Sequence, residues 1–287
     1  MTQPPLDEIL ATIDEWDPDI VAAGILAGDD VRITHGPVDE RLPVASLTKP
    51  IAAWGVLVAS TQGLVHLDEP VTVEGAERAD TAGSKITIRH LLAHASGLPT
   101  ESDGPVAAVG ARRVYSNWGY DVLGEVVAER AGEPFAEFLD HEIFEPLGMA
   151  SSDLDGSPSR AITSTVADML AFADELRRPQ LISAELHAEA TSIAFDELDG
   201  VLPGFGRQRP NPWGLGVEIR GTKHPHWAGR NVDARSFGHF GQSGSFVIVD
   251  PTRDLACVSL ADLAFGRWAA RSWPTLIDAI VDAIDGA

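Results

Sequence analysis

Ser46-Leu47-Thr48-Lys49 sets a hydroxyl and an amine three residues apart, on one face if the segment is helical. A serine hydroxyl is a weak nucleophile at its free pKa and needs a neighbouring base to take its proton. A lysine held neutral by burial or by other cations can be that base, and S-x-x-K is a serine-hydrolase signature. Lysine is scarce here: Lys49, Lys85 and Lys223 stand against 18 arginines and 18 serines. Two further segments carry compatible chemistry. Tyr115-Ser116-Asn117 brings a phenol and an amide into helical apolar spacing at Tyr120, Val122, Leu123, Val126 and Val127. His239-Phe240-Gly241 precedes Gln242 and an apolar alternation at Phe246 and Ile248, then Leu255 and Cys257.

These groups depend on the elements that carry them. Leu6, Ile9, Leu10, Ile13 and Trp16 have helical spacing, and Val21–Ala27 reads as a strand turning at Asp29-Asp30 into Val31-Arg32-Ile33. The helix with Ser46 and Lys49 tolerates Pro50 in its first turns and stops near Gly63. Residues 87–146 read as mostly helical, broken by a loop at 97–111. Ser164 is expected to cap a helix reaching about Leu176, and Ser183 to open another. After Gly204 the period becomes that of strands, expected at 213–219, 236–240, 245–249 and 255–260, before a last helix at about 273–284. The pattern predicts an α+β fold: an antiparallel sheet flanked by terminal helices plus a mainly helical subdomain. It is read as one catalytic domain over 1–287, with a sheet lobe from about 1–60 and 204–287 and a helical lobe at about 61–203.

Composition narrows the function classes. A formal charge of -22 disfavours nucleic acid and anionic membrane surfaces as partners. Cys257, the sole cysteine, allows no intramolecular disulfide and reads as core filler. The longest apolar stretch, 51–59, is too short to span a bilayer, and Met1 to Leu10 lacks the basic and apolar regions of a signal peptide. A cytoplasmic protein is expected.

The ordered set S-x-x-K, Y-x-N, H-x-G resembles the serine β-lactamase and penicillin-binding-protein superfamily. So do the stretches from Leu91 through His94 to Pro99, from Phe144 to Met149 and from Ser164 to Leu170. The likeness covers roughly residues 20–285. It is nearest the branch of class C β-lactamases, D-alanyl-D-alanine carboxypeptidases and related carboxylesterases. It implies a β-lactamase/transpeptidase-like fold and a cofactor-free, metal-free acyl-enzyme at Ser46. Lys49 and Tyr115 would share proton handling, a cation beside the phenol favouring phenolate; which of the two is the base stays open. By the same likeness Asn117 would bond Lys49 and a substrate carbonyl, and the backbone N–H groups of Ser46 and Gln242 would hold the oxyanion. Gly241 suits a place where substrate nears the backbone.

His239 stands where β-lactamases carry the lysine of K-T-G, and Phe240 replaces a hydroxyl residue. Both changes weaken the attraction for a substrate carboxylate. Small esters are therefore the first substrate class, ahead of D-amino-acid peptides and β-lactams; a sensor that acylates once without turnover is the alternative of another class. Oligomeric state stays open. Among rival constellations, His90 and His94 lack the glutamate of H-E-x-x-H, and His224 with His226 make a weak metal pair. Gly241 to Ser245 nearly matches G-x-S-x-G but lacks the final glycine.

Overall fold

The apolar strands Ser245–Asp250 and Leu255–Ala261 lie inside a six-stranded antiparallel sheet. Its order is Val31–His35, Val21–Ala27, Leu255–Ala261, Ser245–Asp250, Phe237–Gly241 and Glu218–Ile219. The computed structural model describes residues 4–76, 85–101 and 104–286, so Met1 to Gln3 and positions 102–103 of the expected 97–111 loop lie outside the described residues. Side chains alternate across a strand, and here both faces are covered. Phe246, Ile248, Leu255 and Cys257 pack with Ile9, Leu10, Trp273, Ile277 and Ile280 of the terminal helices. Val247, Val249, Ala256 and Val258 pack on the other face with Leu170, Met169 and Trp54. Gly24 permits that second contact, because a Cβ there would lie 2.6 Å from Leu170. Among the described residues no helix is long and apolar enough to cross a membrane.

The middle of the chain supplies helices Thr48–Thr61, Ile88–Leu92, Trp118–Ala131, Val166–Arg177 and Ala184–Ala190. Several boundaries differ from expectation for physical reasons. Thr165 rather than Ser164 caps Val166–Arg177, its side chain accepting from the Asp168 N–H, while Ser164 ends a short strand. Of the strand expected at 213–219, only Glu218–Ile219 is regular. A hairpin of Gly200–Leu202 and Gly206–Gln208 was not anticipated. The last helix runs over Arg267–Asp285 with Pro274 inside it, six residues earlier than expected.

Candidate active site

Ser46 lies in the 3-10 turn Ala45–Leu47 that leads into the Thr48–Thr61 helix. Its predecessor Ala45 has φ 47, a left-handed conformation that costs an ordinary L-residue about 1–2 kcal/mol. The surroundings hold this strain in place. Ile162 accepts from the Val44 N–H at 3.0 Å, and Thr48 Oγ1 accepts from the Ile162 N–H at 3.0 Å. On the other side Ser245 Oγ donates to the Val44 carbonyl at 2.9 Å. That carbonyl also fills the space a Cβ at Gly241 would need. Glycine at 241 is thus demanded by the protein's own turn, whatever a substrate requires. The packing brings Ser46 against the Phe237–Gly241 strand. The neighbouring short strand stops with Glu218 opposite Gly238, so among the described residues no strand pairs with 239–241 on that side.

Lys49 is 0 % exposed, and its Nζ donates to Asn117 Oδ1 at 2.7 Å and to the Ser159 carbonyl at 2.8 Å. Burial, with a lesser push from Arg160, lowers its pKa to about 7 against the opposing pull of Asp121. A neutral amine has two N–H groups and one lone pair. With both N–H groups committed to acceptors, the lone pair is left for a proton. Nζ also stands 4.7 Å from the centre of the Tyr115 ring.

Tyr115 Oη lies 3.5 Å from His239 Nε2, and the Ser46 hydroxyl is near enough to bear on the phenol's ionisation. Burial pushes the phenol above its ordinary value and outweighs the opposite effect of the Ser46 hydroxyl. Burial of the phenol therefore works against phenolate, and Lys49, with its pKa at about 7, is only partly charged near neutral pH. His239 is 3 % exposed, and burial, with Lys49 nearby, lowers its pKa to about 3. Its Nδ1 lies 2.7 Å from the Phe240 carbonyl, an acceptor, so Nδ1 carries the hydrogen and Nε2 faces Tyr115 as an acceptor. Phe240 turns to the opposite face of the sheet, among Phe265, Trp273 and Trp227. Its substitution for a hydroxyl residue therefore acts on the core behind the sheet. Gln242 is exposed at the strand end, where its carbonyl accepts from the Phe265 N–H at 2.8 Å.

The sequence motifs did not disclose several supporting residues. Ser159 contributes a backbone carbonyl, which no side-chain pattern reveals. His94, with φ 54, is buried against the Tyr115 ring at 4.6 Å, and its Nδ1 accepts from the Ser116 N–H at 3.2 Å. Among the described residues no group of three His, Cys, Asp or Glu could hold a metal ion; His90 caps its helix with Thr87. Trp213 lies between His94 and His239, at 4.7 and 5.5 Å between ring centres.

Behind Trp213 is a buried polar network. Glu218 accepts from Lys223 Nζ at 2.6 Å and from Trp227 Nε1 at 2.8 Å, and pairs with His226 Nε2 at 2.9 Å. Burial raises the Glu218 pKa, but Lys223 and His226 outweigh it and hold the carboxyl well below its usual range. Removing one partner of a buried pair leaves the other charge uncompensated, typically at a cost of about 3–5 kcal/mol. Glu218→Gln should therefore lower the urea-unfolding free energy by about that much. Adding Lys223→Met should recover part of the loss; a Gln variant as stable as wild type would show that the pair contributes little.

Comparison with known proteins bears on this geometry. The β-lactamase family model matches residues 21–281. A β-lactamase of solved structure from Mycobacterium bovis is 45% identical, with a TM-score of 0.90, covering 96% of this chain and 99% of that one. The D-alanyl-D-alanine-carboxypeptidase/endopeptidase AmpH of Escherichia coli is 29% identical over 168 residues, 49% of this chain and 43% of AmpH. Esterase EstB of Burkholderia gladioli is 34% identical over 152 residues, 39% of this chain and 38% of EstB. The matches to these two curated relatives span less than half of their length.

Proposed function

The chain belongs to the β-lactamase family of serine hydrolases, and on that premise we propose that it cleaves small esters through an acyl-enzyme at Ser46. The observation that carries the ester reading is His239: buried and neutral, it offers the Tyr115 hydroxyl an acceptor and offers a substrate carboxylate no cation. Ser46 Oγ attacks the ester carbonyl while its proton passes to the Lys49 lone pair, directly or across the Tyr115 hydroxyl. The carbonyl oxygen takes up the electron pair and is held by the backbone N–H groups of Ser46 and Gln242. Collapse expels the alkoxide, which receives a proton back through Tyr115. Water then enters by the same route and releases the acid. Asn117 keeps Lys49 in position throughout.

The relatives support the two halves of this reading unequally. EstB is named an esterase, whereas AmpH is named a carboxypeptidase/endopeptidase and the M. bovis protein a β-lactamase. Hydrolysis of β-lactams or D-peptides is therefore the second reading. A panel of short-chain esters, D-alanyl peptides and a chromogenic cephalosporin separates them. Neutral esters should be turned over at least tenfold faster in kcat/KM than the cephalosporin, whose carboxylate loses water without gaining a partner beside His239. Equal rates would sink the ester reading. A burst of ester product without steady turnover would indicate a one-time acylated sensor.

A further inference from the structure

The hairpin Gly200–Leu202 and Gly206–Gln208 closes a pocket of about 340 Å³ against Val114 and Tyr115. It is docked there by the Arg113 N–H, which donates to the Asp199 carbonyl at 2.8 Å. Arg113 itself is structural: its guanidinium is buried and donates to the carbonyls of Ala93, Asn211, Ala194 and Phe195. The rest of the rim is different. Arg112 and Arg207 line the pocket and are both exposed, with Arg209 close by on the same hairpin segment. Asp199 is shared by Arg207 at 3.0 Å and Arg209 at 3.1 Å, so one carboxylate faces two guanidinium groups. Arg112 donates to the Val106 carbonyl at 3.1 Å, and among the described residues no carboxylate pairs with it. This is a local excess of positive charge on a chain of formal charge -22.

The same place is apolar. Val201 at 61 % and Val106 at 53 % are the most exposed of the large hydrophobic side chains among the described residues. The first lines the pocket, and the second carries the carbonyl that Arg112 holds. An apolar cavity opening beside Tyr115, with Arg112 at its rim unpaired to any carboxylate among the described residues and Arg207 sharing Asp199 with Arg209, matches one kind of ligand. Resting on the ester reading, we propose that this pocket selects esters with an apolar segment that ends in a carboxylate, bound by Arg112 and Arg207. The anion would sit away from the reacting carbonyl, since neither Ser46 nor His239 lines the pocket. The reluctance toward a carboxylate beside His239 and the preference for one at the rim are therefore compatible.

The test compares the 4-nitrophenyl monoesters of adipic and suberic acid with the same compounds capped as methyl esters. A second pair, 4-acetoxybenzoate and its methyl ester, places the charge on the leaving-group side. The free carboxylate should be preferred in kcat/KM in at least one pair by about tenfold, as expected for a charge-assisted contact. The preference should shrink as salt is raised. Arg112→Gln and Arg207→Gln should each reduce the ratio of free to capped substrate severalfold. Binding of monomethyl suberate and dimethyl suberate to the Ser46→Ala variant, by calorimetry, reads the same preference without turnover. Ser46-dependent cleavage with no preference in either pair overturns the pocket assignment alone. So does equal binding of the two suberates, or an equal loss on free and capped esters in both arginine variants. Preferential binding of monomethyl suberate supports the pocket even if ester turnover proves negligible.

Discussion

A fluorophosphonate probe is expected to add one label to the wild-type chain, on the peptide that carries Ser46, and none to Ser46→Ala. Ester turnover should fall by about 10⁴–10⁶-fold in the same variant, the scale seen when a nucleophile is removed from a group of residues that act together. The expectation rests on position. Ser46 follows a strained Ala45, and its turn is fixed by Ser245 on one side and Ile162 on the other. Its hydroxyl is also near enough to Tyr115 to bear on the phenol's ionisation. Ser243 is the informative control, because it belongs to the near G-x-S-x-G match and lies on the same strand end. Its hydroxyl pairs with Ser245 Oγ at 2.9 Å and has no lysine or histidine partner among the hydrogen bonds of the described residues. Label found on Ser243, or persisting in Ser46→Ala, would remove Ser46 from the mechanism.

The parts of this site that were legible in the sequence are those where chemistry dictates a residue type. Ser46, Lys49, Tyr115, Asn117 and His239 of the proposed site stood out by kind and order, and the structure sets Asn117 against Lys49, Lys49 against the Tyr115 ring and His239 against the Tyr115 hydroxyl. Ser159 did not, because it acts through its carbonyl and any residue has one. The ionisation of the site was not legible either. A lysine beside a tyrosine suggests phenolate only if the lysine keeps its charge, and burial decides that.

The fold followed the same division. Strands and helices with one strong period were found within a residue or two, including Val21–Ala27 and the Ser183-capped helix. The early start of Arg267–Asp285 was hidden because Pro274 reads as a first-turn residue, although here it lies mid-helix. The 200–208 hairpin has three-residue strands, too short for an alternation to register. Trp213 looked like the start of a strand, yet it makes an isolated bridge to Glu218 and its carbonyl accepts from the Ala194 N–H at 2.8 Å, outside any regular strand. What holds that segment is the Glu218 network, assembled from residues whose charges gave no sign that they would be buried together.

Proton transfer gives the sharpest test of how Lys49 and Tyr115 divide their work. Lys49→Ala and Tyr115→Phe should each lower kcat/KM by about 10²–10⁴-fold, the range for a positioned acid or base. If the two form one path, the double variant should lie within about tenfold of the worse single; the product of the two losses would mean separate steps. The wild-type pH profile adds the direction. Only the unprotonated amine has a lone pair, so kcat/KM should rise with pH through about 7, where burial has brought Lys49. The Tyr115 phenol, pushed upward by burial, stays protonated across that range and contributes no limb to it. Lys49→Arg separates base from cation. Arginine keeps a positive charge near Asn117 and cannot give up its proton in a protein. If Lys49 works as a base, the arginine variant should be as inactive as the alanine variant and lose the rise near pH 7. Substantial activity with arginine would mean that the charge of Lys49 matters and that the proton goes elsewhere.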